Sequence, residues 1–178
     1  GAQFIQAIEQ ELPNPEILTF FLMTCVANPS KTIAPEERAA LLSGNGYGLL
    51  PAFLDGMLDG ASAGARIYDG NEPAYYYTNS AQYFSVYQFI TQRGRYLIDP
   101  ALWDKYRAQV QVAQALYVDQ YFGLRADKVL GNYMTEQERP QWFEHNVYNA
   151  LFTTDKYVWC YSERMNWWKN ENVPPGSD

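Results

Sequence analysis

The chain predicts an α/β domain in which parallel strands alternate with helices, and three features of the sequence predict it. Apolar runs of strand length recur four times along the 178 residues, each bounded by proline, glycine or polar turn residues. The stretches between them place apolar residues at the i, i+3, i+4 spacing of one helix face. The long crossovers left between successive strands then require parallel pairing, because antiparallel neighbours need only a tight turn.

The first strand is expected over residues 17–26, a near-continuous apolar run between Pro15 and Pro29. A helix follows from Pro35, where proline suits the first turn and Glu36 and Glu37 favour the positive end of the dipole, and it stops near Gly44. The glycine-rich stretch at 43–48 lies between two helices, so it reads as a helix stop and linker, not as a phosphate cradle. Leu50, Phe53, Leu54, Met57 and Leu58 share one face of the next helix. Residues 66–72 form the second strand. Tyr83, Val86, Tyr87 and Ile90 mark another helix, and Tyr106, Val110, Ala113 and Tyr117 a further long one. The third strand is expected at 121–126, weakened by Gly123. Thr135 and Glu138 have capping-box spacing for a helix carrying Phe143, Val147, Ala150 and Leu151, with Pro140 near its start. Residues 157–162 are the fourth strand. Residues 1–168 therefore form a single domain, and 169–178 a polar tail ending in Pro174, Pro175 and Gly176.

Four parallel strands are half of the eight that close a (β/α)8 barrel, which usually takes about 250 residues. The favoured architecture is half a barrel, and the alternative is a small open α/β sheet. Half a barrel leaves edge strands and an inner face uncovered, so a missing half or a second copy in a homodimer is the expected partner. The formal charge of −7 argues against a phosphate backbone, so nucleic acid is not expected. No apolar stretch approaches the roughly 20 residues needed to span a bilayer, which makes the chain soluble and membrane binding unexpected. It begins without Met, so the natural start is expected upstream, and a secreted or periplasmic location is compatible with the sequence. Cys25 and Cys160, the only cysteines, are expected as two buried free thiols.

Sites in parallel α/β folds form where the strands' carboxyl ends converge. The second strand delivers Asp69, Asn71 and Glu72, followed by Tyr75, Tyr76 and Tyr77. The third delivers Arg125 and Asp127, and the fourth Glu163, Arg164, Asn166, Trp167 and Trp168. Aromatic residues make up 16% of the chain, including fifteen tyrosines and five tryptophans, more than a core of this size needs and well suited to stacking on sugar rings. The chemistry that uses this mixture is glycosidic hydrolysis, in which one carboxyl group protonates the leaving oxygen and an ionised partner attacks the anomeric carbon or activates water. Glu72, beside Pro73 and three tyrosines, is the candidate acid. Glu163, beside Arg164, is the candidate nucleophile or base. Asp69, Asn71, Tyr75, Tyr76, Arg125, Asp127, Arg164, Asn166, Trp167 and Trp168 are the candidate carbohydrate-binding residues, with one of the two terminal tryptophans expected in the core and the other exposed. His145, the only histidine, is placed mid-helix without a nucleophile elbow, which removes a serine triad. Two isolated cysteines do not make a zinc site, and neither a metal nor another cofactor is expected.

The segments Asp69-Gly70-Asn71-Glu72-Pro73-Ala74-Tyr75-Tyr76-Tyr77 and Tyr157-Val158-Trp159-Cys160-Tyr161-Ser162-Glu163-Arg164-Met165-Asn166-Trp167-Trp168 resemble a group of bacterial glycoside hydrolase-like proteins. Residues 53–58 and 142–151 are similar to the same group, so the likeness spreads over most of the chain. The resemblance implies carbohydrate hydrolysis by a (β/α)8 barrel, with this sequence as its C-terminal half and the first strands upstream. It also implies that one of two catalytic acids can lie in the other half, in which case Glu72 binds substrate. A non-catalytic carbohydrate-binding or scaffold domain, stacking sugars on Tyr75, Trp167 and Trp168, is the alternative function.

Overall fold

The structure is a computed structural model that describes residues 1–31, 34–125 and 129–169. It is a mixed α/β arrangement, mostly helical, with short parallel strands in two small open sheets. Strands β1 (Glu16–Thr19), β2 (Arg66–Asp69) and β3 (Val110–Val112) pair in that order, and β4 (Gln114–Tyr117) pairs with β5 (Val158–Tyr161). Every one of these pairings is parallel.

The two sheets are continuous through a single residue. Only Ala113 separates β3 from β4; its N–H donates to the Asp69 carbonyl at 2.8 Å, while the next N–H, of Gln114, donates to Tyr157 at 3.1 Å. One strand segment therefore hands its hydrogen bonds from β2 to β5. The outermost strands also meet through side chains. Lys156, just before β5, reaches Glu16 of β1 at 2.7 Å, and the ring of Phe20, just after β1, stacks on Trp159 at 5.1 Å.

Helices α1 (Ala2–Glu11), α2 (Pro35–Ser43), α3 (Leu50–Gly60), α4 (Ser80–Gln88), α5 (Trp103–Gln109), α6 (Val118–Phe122) and α7 (Glu138–Phe152) surround the strands. Of the face that the spacing predicts, Leu54, Met57 and Leu58 of α3 are buried, in a cluster with Ile5, Ile67, Ile90 and Val112, whereas Leu50 is only partly covered and Phe53 is exposed. A second, tyrosine-rich cluster under β4 and β5 gathers Tyr75, Tyr83, Tyr117 and Tyr121. The expected capping box precedes α7, with the Thr135 N–H donating to Glu138 at 2.8 Å and the Glu138 N–H returning to Thr135 at 3.2 Å. Pro140 is accommodated in the first turn of α7, where its missing N–H is not needed. No helix among the described residues is long and apolar enough to cross a membrane.

Four expectations need correction. The first strand stops at Thr19, because the Asp69 carboxylate takes the Thr24 N–H and hydroxyl at 2.9 Å each and draws Met23–Val26 into a 3-10 turn. The third strand lies at 110–117, not at 121–126. The long helix expected through Tyr106, Val110, Ala113 and Tyr117 ends at Gln109, and of the stretch expected as a strand Tyr121 and Phe122 are the end of α6, closed by Gly123 at φ 64°, while residue 126 lies outside the described residues. A strand covered on both faces reads as a continuous apolar run, and periodicity alone does not separate that from a buried helix. The thiols are both free as expected, yet Cys160 is exposed and Cys25 only partly covered. Helix α1, with Ile5 fully buried, is an element the sequence reading did not include. Of the polar tail, residues 170–178 lie outside the described residues.

Candidate active site

A cleft of about 570 Å3 opens where β1, β2, β4 and β5 end. The turn after β2, a 3-10 segment at Glu72–Tyr76, supplies Glu72, Pro73, Tyr75 and Tyr76. Phe20 and Cys25 enter from the segment after β1, Tyr117 and Arg125 from the end of β4 and the chain beyond it, and Trp159, Tyr161 and Glu163 from β5 and its exit. Glu72 and Glu163, the two predicted catalytic carboxylates, thus line the same cleft from different strands. Glu72 is half-buried and Glu163 exposed.

Aromatic rings form the walls. Tyr161 stacks on Tyr75 at 5.7 Å with 11° between the planes, and on Tyr117 at 5.6 Å. Trp159 is fixed by its indole N–H, which donates to the Gly70 carbonyl at 2.9 Å. Gly70 leaves no room for a side chain, since a Cβ there would lie 2.2 Å from the Thr19 carbonyl oxygen and 3.0 Å from the Trp159 indole nitrogen. Arg125 donates to the Tyr117 hydroxyl at 3.1 Å with its guanidinium 5.7 Å from that ring's centre.

The loop that presents Glu163 is held from below by Asp119, a buried carboxylate in the first turn of α6. Asp119 accepts the Glu163 N–H at 2.9 Å, the Arg164 N–H at 3.2 Å and the Ser162 hydroxyl. Ser162 in turn accepts the Met165 N–H at 2.8 Å. A carboxylate that collects several donors at a chain turn fixes that turn, and this one sets where Glu163 stands.

The electrostatics follow from these neighbours. Partial desolvation, then the negative charges of Glu163, Asp119 and Glu72, raises the Tyr161 phenol above its ordinary value, so its hydroxyl is a proton-bearing donor at neutral pH. Burial, then Glu72, does the same to Tyr75. Burial, then Asp69 and Glu72, pushes the Cys25 thiol up to about 12, which leaves it protonated and unsuited to act as a nucleophile.

Five of the predicted site residues, Glu72, Tyr75, Tyr76, Arg125 and Glu163, are brought together. Asp69 and Asn71 are fully buried and do not line the cleft. Asp69 binds Thr24 and the Asn71 N–H, and Asn71, at φ 47°, spans between Gln114 at 2.7 Å and the Tyr77 hydroxyl at 3.2 Å. They support the turn that carries Glu72. Burial pushes the Asp69 carboxyl up. Arg164, Asn166, Trp167 and Trp168 follow Glu163 without lining the cleft, and both tryptophans are exposed, at 53% and 93%, where one was expected in the core. Among the described residues no packed layer covers that segment. Asp127 lies outside the described residues.

Phe20, Tyr117, Asp119, Trp159 and Tyr161 were not among the predicted site residues. Two of them carried a usable signal: Trp159, Tyr161 and Glu163 alternate with period two, which places them on one face of an extended chain. Tyr117 and Asp119 were hidden by the misplaced third strand. Compared with known proteins, the chain matches no family model, no curated protein and no solved structure.

Proposed function

We propose that the cleft binds a poly- or oligosaccharide and that Glu72 and Glu163 hydrolyse a glycosidic bond within it. The observation that carries this reading is that two carboxylates, each just beyond a different strand of the parallel set, line one aromatic-walled cleft. Its volume of about 570 Å3 falls in the usual range for small-molecule sites, about 300–1,000 Å3. In the proposed reaction Glu72 donates its proton to the leaving oxygen as the bond to the anomeric carbon breaks. Glu163 attacks that carbon directly or takes a proton from the attacking water. Tyr161, a donor beside Glu163, orients the ionised group, and Trp159 and Tyr75 provide apolar ring faces.

The half-barrel architecture belongs to this proposal. It is supported by the uniformly parallel pairing and by the strand segment shared between the two sheets. Among the described residues β1 and β5 each pair on one side only, and Leu18 of β1 is 40% exposed. Further strands, from an N-terminal half or a second copy, would cover that edge.

Release of reducing ends from a panel of polysaccharides tests the hydrolase. Glu163→Gln and Glu72→Gln should each lower the rate at least about a hundredfold, the scale of one acid or base group. A second reading, carbohydrate binding without hydrolysis, is favoured by the exposure of Glu163 and of the Trp167 and Trp168 rings. Saturable oligosaccharide binding with no release of reducing ends, unchanged by Glu163→Gln, would select it.

A further inference from the structure

Beside the cleft lies a second groove, of about 350 Å3. Pro73 lines both, and on either side of the partition neighbouring residues divide between them. Cys25, Glu72 and Tyr76 face the cleft, while Thr24, Asn71 and Tyr77 face the groove. The partition is therefore one chain segment thick, and a ligand long enough to leave the cleft over Pro73 enters the groove.

The groove differs from the cleft in charge. Lys31 and Arg93 line it, and no carboxylate does so among the described residues, in a chain whose formal charge is −7. The cleft instead holds Glu72 and Glu163 against Arg125. Neither groove cation is ion-paired among the described residues: Lys31 donates to the Asn28 side-chain oxygen at 3.3 Å, and the Arg93 guanidinium sits 6.0 Å from the Phe89 ring centre. Both side chains are exposed. Val86 and Phe89 give the groove an apolar wall, and Gln82 and Ser85 add polar groups.

We infer that the groove is an extension of the saccharide site that takes an anionic sugar residue, one bearing a carboxylate or a sulfate. This inference rests on the carbohydrate reading of the cleft. The chemistry is complementary to that of the cleft: a sugar with a negative substituent is repelled by Glu72 and Glu163 and attracted by Lys31 and Arg93. The preferred glycan is thus a chain that is neutral at the cleft and acidic beyond Pro73.

Titration calorimetry with matched oligosaccharides tests it: a neutral oligomer carrying a single terminal hexuronate, the methyl ester of that hexuronate, and the same neutral oligomer carrying a single terminal sulfate. The hexuronate, the sulfated oligomer or both should bind about tenfold more tightly than the ester at low salt, as two cations acting on one anion imply. Which of the two binds better identifies the anionic group. The advantage should shrink toward parity near 1 M salt, where charges are screened within about 3 Å. The double variant Lys31→Gln with Arg93→Gln, both at exposed positions, should lose the advantage and still bind the ester as the unaltered protein does. Equal binding of acid and ester, or an advantage that survives in the double variant, would overturn the groove assignment and leave the cleft reading standing. Failure of every oligomer to bind would overturn both.

Discussion

The buried carboxylate of Asp119 accepts the backbone N–H of Glu163 at 2.9 Å. A side chain in the first turn after β4 thereby fixes the residue that follows β5, and it does so while also accepting Arg164 and Ser162. The position of the candidate nucleophile is built by two strands together.

Removal of that carboxylate should therefore be felt in stability and in the cleft. Asp119→Ala leaves three donors without their acceptor, and a buried donor left unsatisfied costs about 1–3 kcal/mol. Water reaches part of this loop, so the expected total is about 3 kcal/mol, measured by urea unfolding. Asp119→Asn, which keeps one acceptor oxygen, should lose less than Asp119→Ala. Equal stability of all three proteins would show that the loop is not held this way.

Gly70→Ala should be among the most damaging small substitutions. Its Cβ would meet the backbone oxygen of Thr19 at 2.2 Å, and backbone on neighbouring strands moves less readily than a side chain. A loss of about 3 kcal/mol is expected, at the upper end of ordinary overpacking. The Trp159 indole, bonded to the Gly70 carbonyl, should change its fluorescence in the same variant.

The contact between Glu16 and Lys156 joins the outermost strands and carries a pH signature. Hydrogen bonds from Lys156 and then Tyr157 lower the Glu16 carboxyl below its ordinary value of 4.5. A lowered carboxyl stabilises the fold above the unfolded value, and that contribution is lost as pH falls through the lowered folded value. NMR titration should give Glu16 a midpoint below 4.5, and Lys156→Met should raise it toward the ordinary value. A midpoint unmoved by Lys156→Met would mean that the ion pair does not form in solution.

Trp168, at 93% exposure, should contribute little to folding. Trp168→Ala is expected to change stability by no more than about 0.5 kcal/mol, as at ordinary surface positions. A core ring would cost about 3–5 kcal/mol, so a thermal melt separates the two cases.

How much of this was legible in the sequence depended on whether the chemistry was local. Glu72 and Glu163 could be found because each follows a short apolar run that is indeed a strand, at Arg66–Asp69 and Val158–Tyr161. Their meeting in one cleft followed from parallel pairing. The strand at 110–117 was missed because Tyr106, Val110, Ala113 and Tyr117 satisfy the helix spacing while every residue from 112 to 117 is buried, and a strand covered on both faces shows no alternation. With it went Tyr117 and Asp119. From their place at a strand end Asp69 and Asn71 look like ligand groups. Only the fold reveals that Thr24 and Gln114, 45 and 43 residues away in sequence, already occupy them.

The central claim is that the cleft between Glu72 and Glu163 receives a saccharide, and the Trp159 indole N–H is its most direct reporter. That proton lies in the cleft wall, donating to Gly70, whereas the Trp168 indole stands in solvent outside it. In an NMR titration with neutral and acidic oligosaccharides, the Trp159 indole resonance should shift saturably, the Trp168 resonance should not, and Tyr161→Ala should weaken the response. A Trp159 resonance unmoved by every oligosaccharide, or saccharide shifts confined to Trp167 and Trp168, would contradict the account.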